Sequence, residues 1–177
     1  VTMGNVANQA MDMGGNSFSV AMWVKYSQVP SGGNTMRIVS KGFSSWGPGY
    51  FVGLWQDGKL ASGIGTASGT QSHSVLFKTT GTYNDDKWHH VVVVYDRANS
   101  TGQIYVDGTA SALEKQAGTG GTVASGTLSF AGMSSLTASG TSAPFTVSSH
   151  SGTSDFFKGS VDDLRFYRKA LGSEEVT

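Results

Sequence analysis

The most regular pattern in the chain is a strict alternation. In Phe18-Ser19-Val20-Ala21-Met22-Trp23-Val24-Lys25-Tyr26, the residues Phe18, Val20, Met22, Val24 and Tyr26 fall on one face at a period of two, the mark of a half-buried strand. Further strands are predicted over residues 37–41, 50–55, 59–64, 74–79, 89–96, 102–106, 127–131 and 156–167. Turn dipeptides separate them: Gly32-Gly33, Pro48-Gly49, Asp57-Gly58, Asp107-Gly108 and Gly120-Gly121. Asp-Gly suits a hairpin because its central positions need positive φ. Residues 50–55 and 59–64, around Gln56-Asp57-Gly58, therefore predict one hairpin, and residues 91–96 with 103–106 predict another. Helix signals are confined to Ser173-Glu174-Glu175-Val176. About ten short strands between turns imply an all-β antiparallel sandwich or barrel.

Two stretches break this rhythm. Residues 65–72 are rich in Gly, Ser, Thr and Ala, and residues 134–154 carry one Leu, one Phe and one Val among small side chains. Loops of that length inside a domain are usually functional or mobile. There is no internal repeat and no dividing linker, so residues 1–177 read as one domain. The first residue is not Met, and the chain reads as a module cut from a longer protein.

Composition narrows the partners. Gly (25), Ser (25) and Thr (17) make up 67 of 177 residues, yet nine Phe, six Tyr and four Trp suffice for a large core. Twelve basic and twelve acidic groups leave a formal net charge of zero, which argues against nucleic acid and anionic membrane surfaces. The longest strongly apolar run, residues 91–95, is far short of the ~20 needed for a membrane-spanning helix. Without Cys there is no disulfide, thiolate nucleophile or zinc-thiolate site. A cysteine-free, Ser/Thr/Gly-rich chain with few Lys fits a bacterial protein that is secreted or cell-surface.

Sugar sites pair an aromatic ring, stacked on the C–H face of the sugar, with planar polar groups for the hydroxyls. Phe43-Ser44-Ser45-Trp46-Gly47-Pro48-Gly49-Tyr50 sets Trp46 in a Gly/Pro loop where it is hard to bury. There it serves either as a platform or as a lid on the sandwich end. Tyr50 and Trp55 stand an odd number of residues apart on the next strand, so one of them faces the core. His73 and His150 lie in or beside the soft loops, as ligand hydrogen-bonders or as solvated side chains. Trp46, Tyr50, His73 and His150 are the candidate carbohydrate contacts. His89 and His90 diverge on a strand, cannot share a zinc ion, and read as structural.

Three segments carry a resemblance. They are Phe18–Lys25; Trp88-His89-His90-Val91-Val92-Val93-Val94-Tyr95-Asp96 with Gln103-Ile104-Tyr105-Val106-Asp107-Gly108; and Phe157-Lys158-Gly159-Ser160-Val161-Asp162-Asp163-Leu164-Arg165-Phe166-Tyr167-Arg168-Lys169-Ala170-Leu171, running on to Ser173-Glu174-Glu175. In this order they resemble the laminin-G-like branch of the concanavalin A-like lectin/glucanase superfamily. The resemblance implies a jelly-roll β-sandwich, often with calcium at its rim, and a short segment after Tyr167 closing over the sandwich end. Calcium takes six to eight oxygen ligands. In laminin-G-like modules the Asp of the Gly-x-x-Asp segment often meets the loop before the first core strand. That carry-over implies Asp12, Asn16 and Asp162 as ligands. The alternative is that Asp162 caps backbone amides or pairs with Arg165, and no ion binds.

Glycoside hydrolysis needs two carboxylates, one usually a Glu of raised pKa. There are nine Asp but only Glu114, Glu174 and Glu175, and no Glu-x-Asp-x-x-Glu strand motif, Gly-x-Ser-x-Gly elbow or Walker sequence is present. Asn99-Ser100-Thr101 matches a glycosylation acceptor, as chance alone would supply in a Ser/Thr-rich chain. The expectation is a monomeric, non-catalytic, calcium-containing carbohydrate-binding module that takes a polysaccharide or glycan. The alternatives are a protein- or peptide-binding adhesion module, or a spacer without its own ligand.

Overall fold

The computed structural model describes residues 2–3, 11–33, 35–137, 143–150 and 152–176. Its strands are β1 (Thr2–Met3), β2 (Phe18–Lys25), β3 (Met36–Gly42), β4 (Gly49–Leu54), β5 (Lys59–Ile64), β6 (Val75–Thr82) and β7 (Trp88–Asp96). These are followed by β8 (Thr101–Val106), β9 (Thr109–Ala110), β10 (Leu113–Lys115), β11 (Thr122–Ala124), β12 (Thr127–Ser129), β13 (Phe145–Val147) and β14 (Ser160–Tyr167). Two antiparallel sheets face each other, as predicted. Sheet A runs β1-β13-β3-β4-β5-β6-β10, and sheet B runs β11-β12-β8-β7-β2-β14 with β9 beside β8. Both predicted hairpins form, β4 with β5 and β7 with β8. The described residues contain no α-helix, only 3₁₀ turns at Gln71–His73 and Ser173–Glu175, and none that is long and apolar enough to cross a membrane.

Alternation decides what each strand buries. Phe18, Val20, Met22 and Val24 of β2 enter the core together with Val91, Val93 and Tyr95 of β7, while Ala21, Val92 and Val94 point the other way. Four consecutive valines make sense because both faces of β7 are covered. The outward cover is the chain after Tyr167: Leu171 and Val176 pack on Ala21, Val92 and Val94. The closing segment thus lies on the outer face of sheet B, and not over the sandwich end. The Ser19 hydroxyl pins it, donating to the Lys169 carbonyl at 3.0 Å and accepting the Leu171 N–H at 3.0 Å.

Between the sheets, Phe18 stacks on Tyr95 at 4.8 Å and tilts against Tyr50 at 5.3 Å, and Phe77 meets Tyr95 edge-on at 5.5 Å. Tyr50 and Tyr95 are wholly buried. The Tyr50 hydroxyl donates to the Met11 carbonyl at 2.9 Å.

At one end of the sandwich His89 is held between two carboxylates, Nδ1 at 2.8 Å from Asp107 and Nε2 at 3.0 Å from Asp85, with the Tyr83 ring edge-on at 5.4 Å. Burial alone would lower the pKa of His89, but the hydrogen bonds to Asp107 and Asp85 outweigh it and hold the imidazole above its ordinary value. The His89 hydrogen bond in turn holds Asp85 low. A His raised on folding contributes stability that is complete below its unfolded pKa of about 6.5 and fades as pH rises through the folded value. A lowered Asp contributes above about 3.9 and fades on acidification. The clamp is therefore strongest between about pH 4 and 6.5. The melting midpoint is expected to fall as pH rises from about 6.5 through the raised folded pKa of His89. Thermal scans of His89→Asn should show that part of the pH dependence gone.

Candidate functional site

The outer face of sheet A carries an aromatic row assembled by an unusual loop. Between β3 and β4 the chain turns through residues 43–48, where Phe43 (φ 57°), Ser45 (φ 49°) and Trp46 (φ 66°) all adopt left-handed backbone. Such conformations cost on the order of 1 kcal/mol each without glycine and gather at functional loops. The surrounding backbone holds the loop down. Phe43 N–H donates to the Pro48 carbonyl at 2.9 Å, and Gly47 N–H to Ser44 at 2.9 Å. The Trp46 carbonyl accepts both the Thr66 N–H at 3.2 Å and the Ser74 hydroxyl at 2.9 Å. Gly65 makes the approach possible, since a Cβ there would stand 1.7 Å from the Gly47 carbonyl oxygen.

The loop folds Phe43 back over sheet A, against Phe51 at 5.0 Å, while Trp46 stays half-buried, edge-on to Phe43 at 5.9 Å. Trp55 continues the row 6.5 Å from Phe51. Beneath lie Ala61 and Leu76, the outward residues of β5 and β6. The Arg37 guanidinium stacks on Phe51, 3.6 Å from the ring centroid, a contact worth about 2 kcal/mol when desolvated. Arg37 is buried, and burial pushes its pKa down to about 10 against the opposing charge of Asp155, whose Oδ2 lies 3.8 Å from Nε. Arg37 Nε and Nη1 make no hydrogen bond among the described residues.

His150 stands on the other side of the same carboxylate, Nδ1 at 3.6 Å from Asp155 Oδ2. Its Nε2 is buried and has no hydrogen-bond partner among the described residues. Burial first, then the Arg37 charge, holds it below the ordinary imidazole value. His73 is exposed on the 3₁₀ turn next to Ser74, whose hydroxyl supports the Trp46 carbonyl. The fold thus places Trp46 and His73 at adjoining loops and links Trp46 to His150 through Phe43, Arg37 and Asp155. Tyr50 is different: its ring is in the core and offers no face to a ligand, with Trp55 as the outward member of that pair.

The predicted calcium ligands do not converge. Asp162 pairs in register with Trp23, six residues along the chain from Ser17, or about 20 Å at strand rise. Its Oδ1 accepts the Asp163 N–H at 2.8 Å. The Asp12 side chain is buried on the sheet A side, 3.1 Å from Lys41 Nζ, and neither of its carboxylate oxygens has a hydrogen-bond partner among the described residues. Asn16 is exposed. Among the described residues no group of three His, Asp or Glu side chains is placed to hold a metal ion.

Five carboxyls are held below their ordinary range. Glu114 is held low, first by its hydrogen bond from Lys59 at 2.6 Å and then by Lys78. Asp57, Asp85, Asp96 and Glu175 are low as well.

Trp23 and Trp88, neither of them among the candidate sugar contacts, are 41% and 44% exposed on the outer face of sheet B. The signal was there: Trp23 falls out of phase with the core residues of β2.

A family model described as the concanavalin A-like lectin/glucanases superfamily matches residues 3–177. No curated protein sequence matches the chain. Among solved structures, the fold is similar to a candidate carbohydrate-binding protein of Bacteroides ovatus (13% identity, TM-score 0.63), with 99% of this chain covering 42% of that one. It is also similar to the IT-sialidase CBM40 of Ruminococcus gnavus (12%, TM-score 0.62, 93% and 82%), which has been solved with α2,3 and α2,6 sialyllactose. A third is the NanB sialidase of Streptococcus pneumoniae (18%, TM-score 0.58, 91% and 23%). The chain spans less than half the length of the first and third of these.

Gly65→Ala would drive a methyl into the Gly47 carbonyl and lift the loop. The expected loss is about 1–3 kcal/mol of stability, with a shifted Trp46 indole resonance. An unchanged indole signal would show that the loop is not held by this contact.

Proposed function

The chain belongs to the concanavalin A-like lectin/glucanase superfamily, and from that premise we propose that it is a non-catalytic carbohydrate-binding module of a secreted or cell-surface protein. The outer face of sheet A takes the glycan. The observation that carries this reading is the Trp46 loop: three left-handed side-chain-bearing residues hold a half-buried indole beside the Arg37–Phe51 stack. Backbone strain of that kind persists where the surroundings over-determine it.

Trp46 supplies the ring face for sugar C–H groups, and His73 at the adjoining turn supplies a hydrogen-bonding edge. Arg37, stacked on Phe51, stiffens the platform from below. The similarity of fold to the sialyllactose-bound CBM40 and to sialidases supports a glycan as ligand. Asp57, Asp85, Asp96, Glu114 and Glu175 are all held low and are poor proton donors near neutral pH, which fits binding without hydrolysis.

Trp46→Ala should weaken retention on the bound glycan about tenfold, the value of a lost aromatic contact near 1.4 kcal/mol, while the variant still melts cooperatively at a midpoint lowered by the lost packing on Phe43. A glycan array followed by affinity electrophoresis in the recovered polysaccharide measures this. Equal retention of Trp46→Ala and the natural chain, or no glycan bound at all, sinks the assignment.

A further inference from the structure

Sheet B carries a second aromatic surface, on the opposite side of the sandwich from Trp46. Trp23 points outward from β2 and is 41% exposed. Its cross-strand neighbour on β7 is His90, whose ring lies 5.2 Å away at 38°. Trp88 pairs with Lys25 two residues further along the same face and continues the aromatic stripe. On the other flank, β14 departs from regular pairing: Asp162 opposes Trp23 and Arg165 opposes Ala21. Three steps on β14 thus answer two on β2, a β-bulge with one extra residue. Asp163 takes up the bulge in left-handed backbone, φ 48°.

The bulge builds a fork. Arg165 Nε donates to Asp163 Oδ1 at 2.8 Å, and Nη2 lies 2.8 Å from Asp163 Oδ2, a planar bidentate pair. Tyr167 lies further along β14. The closing segment supplies the far wall through Glu175, which accepts from Lys169 and from the Gly172 N–H at 3.0 Å. Together Trp23, His90, Asp163, Arg165, Tyr167 and Glu175 line a groove of about 260 Å³.

The contents of the groove select its ligand. One flat apolar ring stands beside several hydrogen-bonding edges, the arrangement suited to one face of a pyranose and its equatorial hydroxyls. The volume is below the ~300–1,000 Å³ of pockets for drug-sized ligands, and so matches a single sugar unit. The charges are already closed in pairs, Arg165 with Asp163 and Lys169 with Glu175. An anionic group would meet no uncommitted cation, whereas a neutral hydroxyl can both donate to the carboxylates and accept from the guanidinium. We propose that this groove is a second glycan site, specific for a neutral sugar unit, and that the module binds carbohydrate on both of its outer faces.

The four Trp residues give four indole N–H resonances, assigned by single Trp→Phe substitutions in the full chain. The probes are the methyl glycosides of glucose, galactose, mannose and N-acetylglucosamine, with N-acetylneuraminic acid as the charged comparator. At least one neutral glycoside should move the Trp23 resonance saturably in the millimolar range. Arg165→Ala and Asp163→Asn should each weaken that titration about tenfold and leave any Trp46 titration unchanged. Both side chains are exposed, and cooperative melting of each variant verifies its fold.

The site is overturned if no neutral glycoside moves Trp23, if only N-acetylneuraminic acid does, or if both variants titrate like the natural chain. Movement of Trp46 alone removes this site and leaves the sheet A reading standing. Movement of Trp23 alone does the reverse.

Discussion

The hydroxyl of Tyr95 is the constraint around which the two sheets are set. It is wholly buried, and a buried hydroxyl without a partner costs about 1–3 kcal/mol. Its partner is Ser62 Oγ on the opposite sheet, at 2.8 Å. The single Ser62 proton goes to the Phe51 carbonyl at 2.7 Å, so Tyr95 is the donor. That chain of two bonds runs from β7 through β5 to β4 and fixes how the sheets lie on one another. Phe18, Tyr50 and Phe77 pack around it. Once Tyr95 points inward, alternation sends Val92 and Val94 outward on sheet B. Once Ser62 points inward, Ala61 is sent outward on sheet A.

The strands were legible where alternation was clean. β2 could be assigned in full, and with it the outward position of Trp23. β7 was recognisable from its β-branched run but not its two covered faces, since four valines have no period. β1, β9, β10, β11 and β13 left no signal in the sequence: they are two or three residues long, and backbone hydrogen bonds, not side-chain alternation, make them strands. Tyr50 and Trp55 could be recognised as a pair with one core member, but only the packing against Phe18 identifies Tyr50 as that member.

The placement of the three candidate calcium ligands was hidden for a different physical reason. Adjacent acids and a Gly-rich loop describe chemistry, not register. The pairing of Asp162 with Trp23 puts that carboxylate at the far end of β2, while Asp12 lies 3.1 Å from Lys41 Nζ on the sheet A side. The same irregular pairing hid the groove on sheet B, because the extra residue at Asp163 cannot be read from the spacing of a strand. At the Trp46 loop, Gly and Pro announced a turn. They gave no hint that Phe43, Ser45 and Trp46 would all be left-handed or that Gly65 would have to yield its side-chain space.

β14 is also the last strand of sheet B. A straight edge there would offer a ladder of open N–H and C=O groups to a strand from another copy of the chain, the usual route to aggregation. The bulge between Asp162 and Arg165 breaks that ladder in its middle, and Asp162, Asp163 and Arg165, all exposed, charge what remains. A chain so rich in short, uncharged strands therefore carries its guard against fibrous self-association at its outermost strand. Straightening β14 by deleting Asp163 would leave the core intact and change the molecule's behaviour at high concentration.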